Sequence, residues 1–272
     1  MKKLLSVLAI AMVICSCAAD NHESQQSVDK PWNVSVYLDL SDRLTKGNGE
    51  PQTLRDTAII SNIIRLYVDN VVHHKIVPCD DKFQVFFYPT DGIQNASAAS
   101  NALKVDLEQY KKTPAQKKKV LLSMRQDIMQ AVTPIYETTL QNHNWLGSDI
   151  WGFFKNKIKI SCVREGYRNI LVVLTDGYIY HANSRFAEGN EYSYILQSNI
   201  TRPDMKLIKC NDGLEDLEVL FLEINPYLFN HAERMQKVIG TWLEEMGVRH
   251  YDVVETDVTA NIGPAIDGFF KP

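Results

Sequence analysis

Short apolar runs alternate along the chain with longer segments in which apolar residues recur every three or four positions. The runs that predict strands are 33–39, 83–89, 169–175, 217–224 and 250–254. Two of them, 169–175 and 217–224, are apolar at nearly every position, which is typical of strands covered on both faces. This alternation predicts an α/β fold, a doubly wound and mostly parallel sheet with helices on both faces.

Helical periodicity fills the intervals between these runs. Helices are predicted over 56–72, 230–246 and about 257–270. Asn230 is a candidate N-cap of the second helix, and Gly247 is a candidate residue for its C-terminal turn. A further segment, about 102–141, carries apolar residues at helical spacing and predicts a helical insertion beside the sheet. The three lysines at 117–119 within it predict a solvated helix face.

The first 16 residues have the pattern of a lipoprotein signal peptide. Lys2 and Lys3 precede an apolar run, 4–14, that is too short to span a bilayer. The run ends in Ile-Cys-Ser-Cys, which resembles the bacterial lipobox. The resemblance implies cleavage before Cys17 and lipidation of that cysteine, with palmitate among the acyl chains. Ordinary signal cleavage nearby is the alternative.

A lipidated Cys17 would make this protein a membrane-anchored one, because each buried methylene adds about 0.8 kcal/mol. Residue 18 is Ala and not Asp, so the expected location is the outer membrane of the cell envelope, on its periplasmic or surface face. Residues 17–31 are mostly polar and lack periodicity, which predicts a tether. The folded domain is therefore expected over 32–272.

The composition of the 272 residues, 45% apolar and 23% charged, is that of a globular chain with a sizeable core. The net charge is −4, and without residues 1–16 the 27 basic and 33 acidic residues leave −6. No extended basic stripe is present, so nucleic-acid binding is not expected. Cys79, Cys162 and Cys210 form no Cys-x-x-Cys pair, which argues against a zinc knuckle; one disulfide is possible, with its pairing open.

Polar residues stand where the predicted strands end, and ligands of parallel sheets bind at those carboxyl ends. The first strand ends in Asp39-Leu40-Ser41-Asp42-Arg43, and the strand at 169–175 ends in Thr175-Asp176-Gly177. Between them, Ser148 and Asp149 stand at a predicted helix start, where a hydroxyl either caps the helix or points out of the loop. Carboxylate and hydroxyl oxygens suit Mg²⁺ or Mn²⁺.

These three pieces resemble the von Willebrand factor type A domain, and the likeness covers roughly residues 33–270. That family carries a metal-ion-dependent adhesion site, built from Asp-x-Ser-x-Ser, a Thr from a later loop, and an Asp in a Leu-Thr-Asp-Gly strand end. The resemblance implies that Asp39, Ser41, Ser148 and Asp176 hold Mg²⁺ or Mn²⁺, with Ser148 in place of the Thr. It also implies that an acidic group of a protein partner completes the coordination, so that the protein is a binding module and not an enzyme.

Arg43 departs from the family pattern, because it stands where a second Ser is expected. One alternative is that Arg43 points away, with Asp42 or water completing a metal site. The other is that its guanidinium pairs with Asp39 or Asp176 and replaces the ion. The protein would then be a structural envelope lipoprotein with a metal-free site.

A phosphatase of the haloacid-dehalogenase type is a further alternative, with Asp39 as nucleophile. It is disfavoured because that family needs a second Asp two residues later, where this chain has Ser41. The segment after Asp176 is rich in tyrosine, and it predicts either packing or a loop that contacts a partner. Its tyrosines are Tyr178, Tyr180, Tyr192 and Tyr194.

Overall fold

The computed structural model describes residues 30–46, 50–73, 79–90, 93–142, 145, 147–226, 228, 231–255 and 259–271. The predicted signal peptide, the lipidation site Cys17 and most of the tether therefore lie outside the described residues. Among the residues that are described, no helix is both long enough and apolar enough to cross a membrane.

Strands and helices alternate along the described chain. The strands are β1 (Trp32–Leu38), β2 (Lys82–Phe87), β3 (Lys104–Asp106), β4 (Gly147–Ser148), β5 (Arg168–Leu174), β6 (Tyr180–His181), β7 (Ala187–Glu188), β8 (Glu191–Tyr192), β9 (Lys206–Leu207), β10 (Leu217–Ile224) and β11 (His250–Glu255). The helices are α1 (Gln52–His73), α2 (Ala96–Ala102), α3 (Pro114–Asn142), α4 (Ile150–Asn156), α5 (Ile158–Ser161), α6 (Gln197–Ile200), α7 (Ala232–Glu245) and α8 (Thr259–Phe270). Short 3₁₀ helices cover Asp42–Thr45, Leu107–Tyr110 and Ala182–Ser184.

The central sheet has six strands in the order β11-β10-β5-β1-β2-β3. Its neighbours are parallel except for β2 and β3, which are antiparallel. The prediction of an α/β fold with a mostly parallel sheet is confirmed. Counting only these six strands along the chain, the order is 3-2-1-4-5-6, as in doubly wound α/β folds. The direction of winding changes between β1 and β5, and the crevice at such a point is where ligands bind.

Helices cover both faces of the sheet because successive strand residues point to opposite sides. In β1, Val36 and Leu38 pack into a core with α1, α3 and α8. Tyr37, between them, packs into a second core with α4, α5, α6 and α7. The two apolar cores explain why the central strands are apolar at nearly every position.

The predicted insertion over 102–141 is only partly helical. Its first part contains strand β3, in which Val105 pairs with Phe83 at the edge of the sheet. Three residues are too few to show a strand periodicity, so the pattern could not separate β3 from the helical spacing that follows. The rest is α3, whose buried side chains pack in the same core as α1.

The lysines at 117–119 do not form a uniformly solvated face, so that prediction was wrong at one position. Lys118 and Lys119 are exposed, but the Lys117 side chain is buried and its ammonium donates to the Cys79 carbonyl oxygen at 2.6 Å. The carbonyl oxygen of a residue remote in sequence therefore accepts a hydrogen bond from the ammonium that water would accept if the side chain were exposed.

Helix α7 ends as its sequence predicts, because Gly247 has φ of +94° and adopts the left-handed conformation. The predicted N-cap, Asn230, lies outside the described residues. Cys79, Cys162 and Cys210 are free thiols, so they form no disulfide. Burial raises the pKa of the Cys162 and Cys210 thiols to about 12, which makes them poor nucleophiles.

Candidate functional site

A cavity of about 300 Å³ opens at the carboxyl ends of β1 and β5. Three of the predicted metal ligands, Ser41, Ser148 and Asp176, line it together. They meet there because β1 and β5 are adjacent in the sheet although they are far apart in sequence. The other lining residues are Asp42, Lys46, Trp145, Gly147, Tyr178, Tyr180, Leu196 and Gln197.

Asp39 lies behind the cavity wall and is fully buried. One carboxylate oxygen, Oδ1, accepts a hydrogen bond from the Ser41 backbone N–H at 2.9 Å. The other, Oδ2, accepts one from the Thr175 hydroxyl at 2.7 Å. Asp39 therefore ties the loop after β1 to the end of β5, and this tie sets the position of Ser41.

The Asp176 carboxylate faces the cavity and accepts a hydrogen bond from the Tyr178 N–H at 3.1 Å. Burial, and secondly the charge of Asp39, raise the pKa of Asp176 to about 7. Desolvation and a neighbouring carboxylate both oppose ionisation. A cation in the cavity would offset both effects.

Ser148 contributes a buried hydroxyl that makes no hydrogen bond of good geometry in the described part of the structure. Its polar neighbour is the Tyr37 hydroxyl, whose pKa is raised by burial and partly lowered by Ser148. Ser148 lies on β4, where it pairs with Tyr180 of β6. The neighbouring hydroxyl of Tyr37 donates elsewhere, to the Tyr88 carbonyl at 2.8 Å. Asp149 caps α4 by accepting from the Gly152 N–H at 2.9 Å, so the Ser148 hydroxyl is not needed as a cap.

Arg43 turns away from the cavity. Its Nε donates to the Asp39 backbone carbonyl at 2.9 Å. Its terminal nitrogens donate to the two carboxylate oxygens of Asp56, at 3.3 Å and 2.7 Å, and to Glu223 at 3.3 Å. The Arg43 Nε also lies 3.9 Å from the Asp39 carboxylate. The geometry therefore combines the two alternatives for Arg43: the guanidinium points away from the cavity, and within the described structure it forms an ion pair with Asp39 but not with Asp176.

The partners of Arg43 form a buried polar group, which we call the Arg43 cluster. Its members are Arg43, Gln52, Arg55, Asp56, Tyr136 and Glu223. Burial acts to raise the pKa of Asp56, but the charge of Arg43 and the hydrogen bonds from Glu223, Gln52 and Tyr136 together outweigh it, and that pKa is lowered. Burial, and secondly the charge of Asp56, raise the pKa of Glu223 to about 8.

Glu223 reaches the Arg43 cluster through an unusual backbone conformation. Its φ is +69°, and the register of β10 against β11 shifts between Phe221 and Ile224. A bulge of this kind re-aims a side chain at the end of a strand. The sequence analysis did not identify Asp56 and Glu223 as members of this cluster. The signal for Glu223 was an acidic residue within the apolar run 217–224, and the signal for Asp56 was an acidic residue on the apolar face of a predicted helix.

The donor set of the cavity fits a hard divalent cation. Asp176 offers a carboxylate, and Ser41 and Ser148 offer hydroxyls, one of which is buried without a partner. Mg²⁺ takes oxygen ligands, keeps several waters and needs only one or two carboxylates. Across the described residues no group of three or more His, Cys, Asp or Glu is arranged to hold a metal, so any cation here would depend on hydroxyl ligands.

Aromatic side chains form the outer wall of the cavity. Trp145, Tyr178 and Tyr180 line it, and the Arg185 guanidinium lies 5.9 Å from the centre of the Tyr180 ring. Tyr192 instead is buried in the core. The tyrosine-rich segment therefore serves packing at one position and faces the cavity at others. Asp42, at the rim, forms an ion pair with Lys46.

Comparison with known proteins adds no relative to this description. No protein-family model matches the chain, and neither a curated protein nor a solved structure does. The functional inference therefore depends on the geometry of the cavity and of the Arg43 cluster.

Proposed function

We propose that this protein is a lipid-anchored, extracytoplasmic binding module of the von Willebrand factor type A kind, which holds a protein partner through Mg²⁺ or Mn²⁺. One observation carries the proposal. The Asp176 carboxylate and the hydroxyls of Ser41 and Ser148 converge on one cavity where the winding of the sheet changes direction.

Two features of this cavity are unfavourable without a cation. The unpartnered Ser148 hydroxyl loses its hydrogen bonds to water, at a cost of about 1–3 kcal/mol. The Asp176 carboxyl has its pKa raised to about 7 by burial and by Asp39. A divalent ion would relieve both, because it accepts the lone pair of the hydroxyl and neutralises the carboxylates.

The orientation of Arg43 is compatible with a metal at Asp176, although the Arg43 Nε lies 3.9 Å from the Asp39 carboxylate behind the cavity. A guanidinium that replaced the ion would have to enter the cavity and point at Asp176, and Arg43 does not line the cavity. Its two terminal nitrogens are instead engaged by Asp56 and Glu223. The cavity is thus left to its oxygen donors.

The partner group that best fits the cavity is an acidic side chain next to an apolar residue. A carboxylate would complete the coordination of the ion, while Trp145, Tyr178 and Tyr180 offer aromatic surface beside it. Aromatic residues provide much of the binding energy at protein interfaces. The ring wall would therefore add affinity that the single ionic contact lacks.

Catalysis by Asp39 is a poorer explanation of the same residues. Both of its carboxylate oxygens accept hydrogen bonds, and the side chain has no exposed surface. Each oxygen keeps a second lone pair, but a nucleophile must reach its substrate, and a side chain without exposed surface does not. We therefore propose a binding protein and not a phosphatase.

The placement in the envelope is a separate part of the proposal. Only the sequence of residues 1–18 supports it, namely the signal-like segment 1–16, Cys17 and Ala18. The anchor, the outer-membrane location and the partner's access from the periplasm or the surface all follow from that segment.

Calorimetric titration of Mg²⁺ and of Mn²⁺ into the full chain tests the proposal. Saturable binding is expected for the parent and is expected to be lost in Asp176→Asn, which removes the cavity carboxylate, and in Asp39→Asn, which removes the charge behind the cavity and the acceptor that positions Ser41. Both changes keep side-chain size. Asp212→Asn, at an exposed acid remote from the cavity, is the matched control and should bind like the parent.

A second titration tests the role of the partner's acid. Glutarate should bind the parent only when Mg²⁺ or Mn²⁺ is present. If neither ion gives saturable heat, or if Asp39→Asn and Asp176→Asn bind as the parent does, the metal-dependent function is rejected and the metal-free structural alternative takes its place.

A further inference from the structure

A second cavity, of about 230 Å³, lies between α7 and residues 203–207. It belongs to a different part of the molecule from the cavity at the ends of β1 and β5, and the two share no lining residue. Its volume is below the range of about 300–1,000 Å³ that is typical of drug-sized ligands. Any ligand held here is therefore small.

One face of α7 forms a wall of this cavity. Its lining residues recur at intervals of three and four, as neighbours on a helix surface do. They are Arg234, Lys237, Val238, Thr241, Trp242 and Glu245. The opposite wall consists of Pro203, Asp204, Met205, Lys206 and Leu207. Along α7, Val238, Thr241 and Trp242 stand between the two cations and Glu245.

Arg234 and Lys237 are the unusual residues of this wall. The Arg234 Nε is buried and has no hydrogen-bond partner among the described residues. Neither Arg234 nor Lys237 forms an ion pair in the described part of the chain. Both lie in the first two turns of α7, where the positive end of the helix dipole disfavours cations.

Two acidic groups also line the cavity, Asp204 and Glu245, and neither forms an ion pair with Arg234 or Lys237 in the described structure. Asp204 accepts a hydrogen bond from the Asn190 amide. Glu245, at the far end of the cavity, lies 3.8 Å from the Lys206 ammonium. Glu233 is exposed at the start of α7 and makes no ion pair with Lys237 in the described structure.

We propose that this cavity binds a small amphipathic anion, an aromatic carboxylate or a molecule of the same chemistry. The acidic head would accept hydrogen bonds from Arg234 and Lys237, since a carboxylate suits the planar guanidinium. The apolar body would lie over Val238 and Thr241, with the nearly buried Trp242 ring beneath them as the floor of the cavity. A ligand with only an acidic head or only an apolar body would match one part of the cavity, because cations without an ion pair in the described chain and apolar residues both line it.

The test is a calorimetric titration of benzoate into the full chain, with equimolar sodium chloride as the reference for ionic strength. Saturable binding is expected, together with a rise in melting temperature. Arg234→Gln and Lys237→Gln should each weaken it by about tenfold or more, because hydrogen bonds to charged groups are among the strong ones. Lys118→Gln removes a charge from an exposed position on α3 and should leave binding unchanged.

Two further measurements decide the chemistry of the ligand. Inorganic phosphate, which has the charge without the apolar body, should bind more weakly than benzoate. Lys237 is exposed, so its variant should fold even if Arg234→Gln does not. The proposal is overturned if benzoate gives no more heat than chloride, if phosphate binds as tightly as benzoate, or if Lys237→Gln binds benzoate as the parent does.

Discussion

At the scale of single residues, two polar side chains contribute differently to the stability of the fold. Ser148 has a buried hydroxyl without a partner, so the fold gains nothing from it. Arg43 has its donors engaged by Asp39, Asp56 and Glu223, so the fold depends on it. Substitutions can distinguish the two cases, because a residue that serves ligand binding changes affinity and a residue that serves stability changes the free energy of unfolding.

Ser148→Ala should leave the free energy of unfolding of the metal-free protein within about 1 kcal/mol of the parent, or raise it, because an unsatisfied hydroxyl is removed. Its affinity for Mg²⁺ should fall by about tenfold or more. Ser184→Ala is the control, since the Ser184 hydroxyl donates to Asp149 at 2.8 Å. That variant should lose stability and keep its affinity; the reverse pattern would contradict our assignment of Ser148.

Arg43→Met should lower the free energy of unfolding by about 3–5 kcal/mol, because it leaves the buried Asp56 carboxylate without its cation, whereas Glu223 keeps Arg55. Lys46→Met is the matched control, since Lys46 pairs with Asp42 at an exposed position. Its cost should stay under about 1 kcal/mol. Urea unfolding measures both. Equal costs for the two variants would mean that the Arg43 cluster adds no stability.

At the scale of elements, the end of β5 is held against α7 by a very close approach. A Cβ at Gly177 would lie 2.0 Å from the Met235 sulfur, and Met235 is fully buried. Gly177 also has φ of +94°. Because Gly177 directly follows Asp176, the packing of α7 fixes the backbone next to this cavity residue.

Gly177→Ala should therefore cost more than its backbone conformation alone explains. Gly166 is a matched control, with φ of +79° and no atom within 4 Å of a Cβ. Gly166→Ala should cost about 1–2 kcal/mol from left-handed strain. Gly177→Ala should cost about 1–3 kcal/mol beyond that from overpacking. Similar melting temperatures for the two variants would refute the steric argument.

The bulge in β10 makes stability depend on pH through Glu223, whose pKa is raised to about 8 by burial and by Asp56. An ordinary Glu has a pKa near 4.3, so between about pH 4.5 and 8 the folded state keeps a proton that the unfolded state has lost. The free energy of unfolding should thus fall as pH rises through that window.

Glu223→Gln should reduce this slope in urea unfolding measured from pH 5 to pH 8. Part of the slope should remain, because the pKa of Asp176 is also raised, to about 7. Glu233→Gln, at an exposed position on α7, is the control and should keep the parent slope. An unchanged slope in Glu223→Gln would show that Glu223 is ionised in the fold.

At the scale of the whole molecule, two of the cavities in the described domain differ in chemistry. One gathers oxygen donors at the ends of β1 and β5, and the other is lined by cations of α7. Helix α7 contacts Gly177, next to the first cavity's Asp176, through Met235, and it lines the second through Arg234. The N-terminal anchor that we propose would hold both at a membrane.

Cys17→Ser tests that anchor in a bacterial host that processes lipoproteins. The parent should incorporate labelled palmitate and sediment with the outer membrane, because stable anchoring needs at least two acyl chains or a second signal. The variant should lose the label and appear in the soluble envelope fraction. Cys210→Ser should behave like the parent. A labelled Cys17→Ser would show that lipidation occurs elsewhere.

Sequence alone predicted the larger elements and the end of the sheet at which the candidate site lies. Strand periodicity and helical spacing are local properties, so β1, β5, β10 and α7 could be read from neighbouring residues. The three cavity residues Ser41, Ser148 and Asp176 were also foreseeable, because each follows or begins an element that parallel topology brings to one edge.

Only the tertiary structure decided which distant groups meet. Arg43 and Glu223 are 180 residues apart, and no local pattern pairs them or turns Arg43 away from the cavity. The burial of Lys117 and the short edge strand β3 likewise depend on the partner that each finds across the fold. Periodicity reports which face of an element is buried, whereas hydrogen bonds, ion pairs and cavities depend on contacts between elements that are remote in sequence.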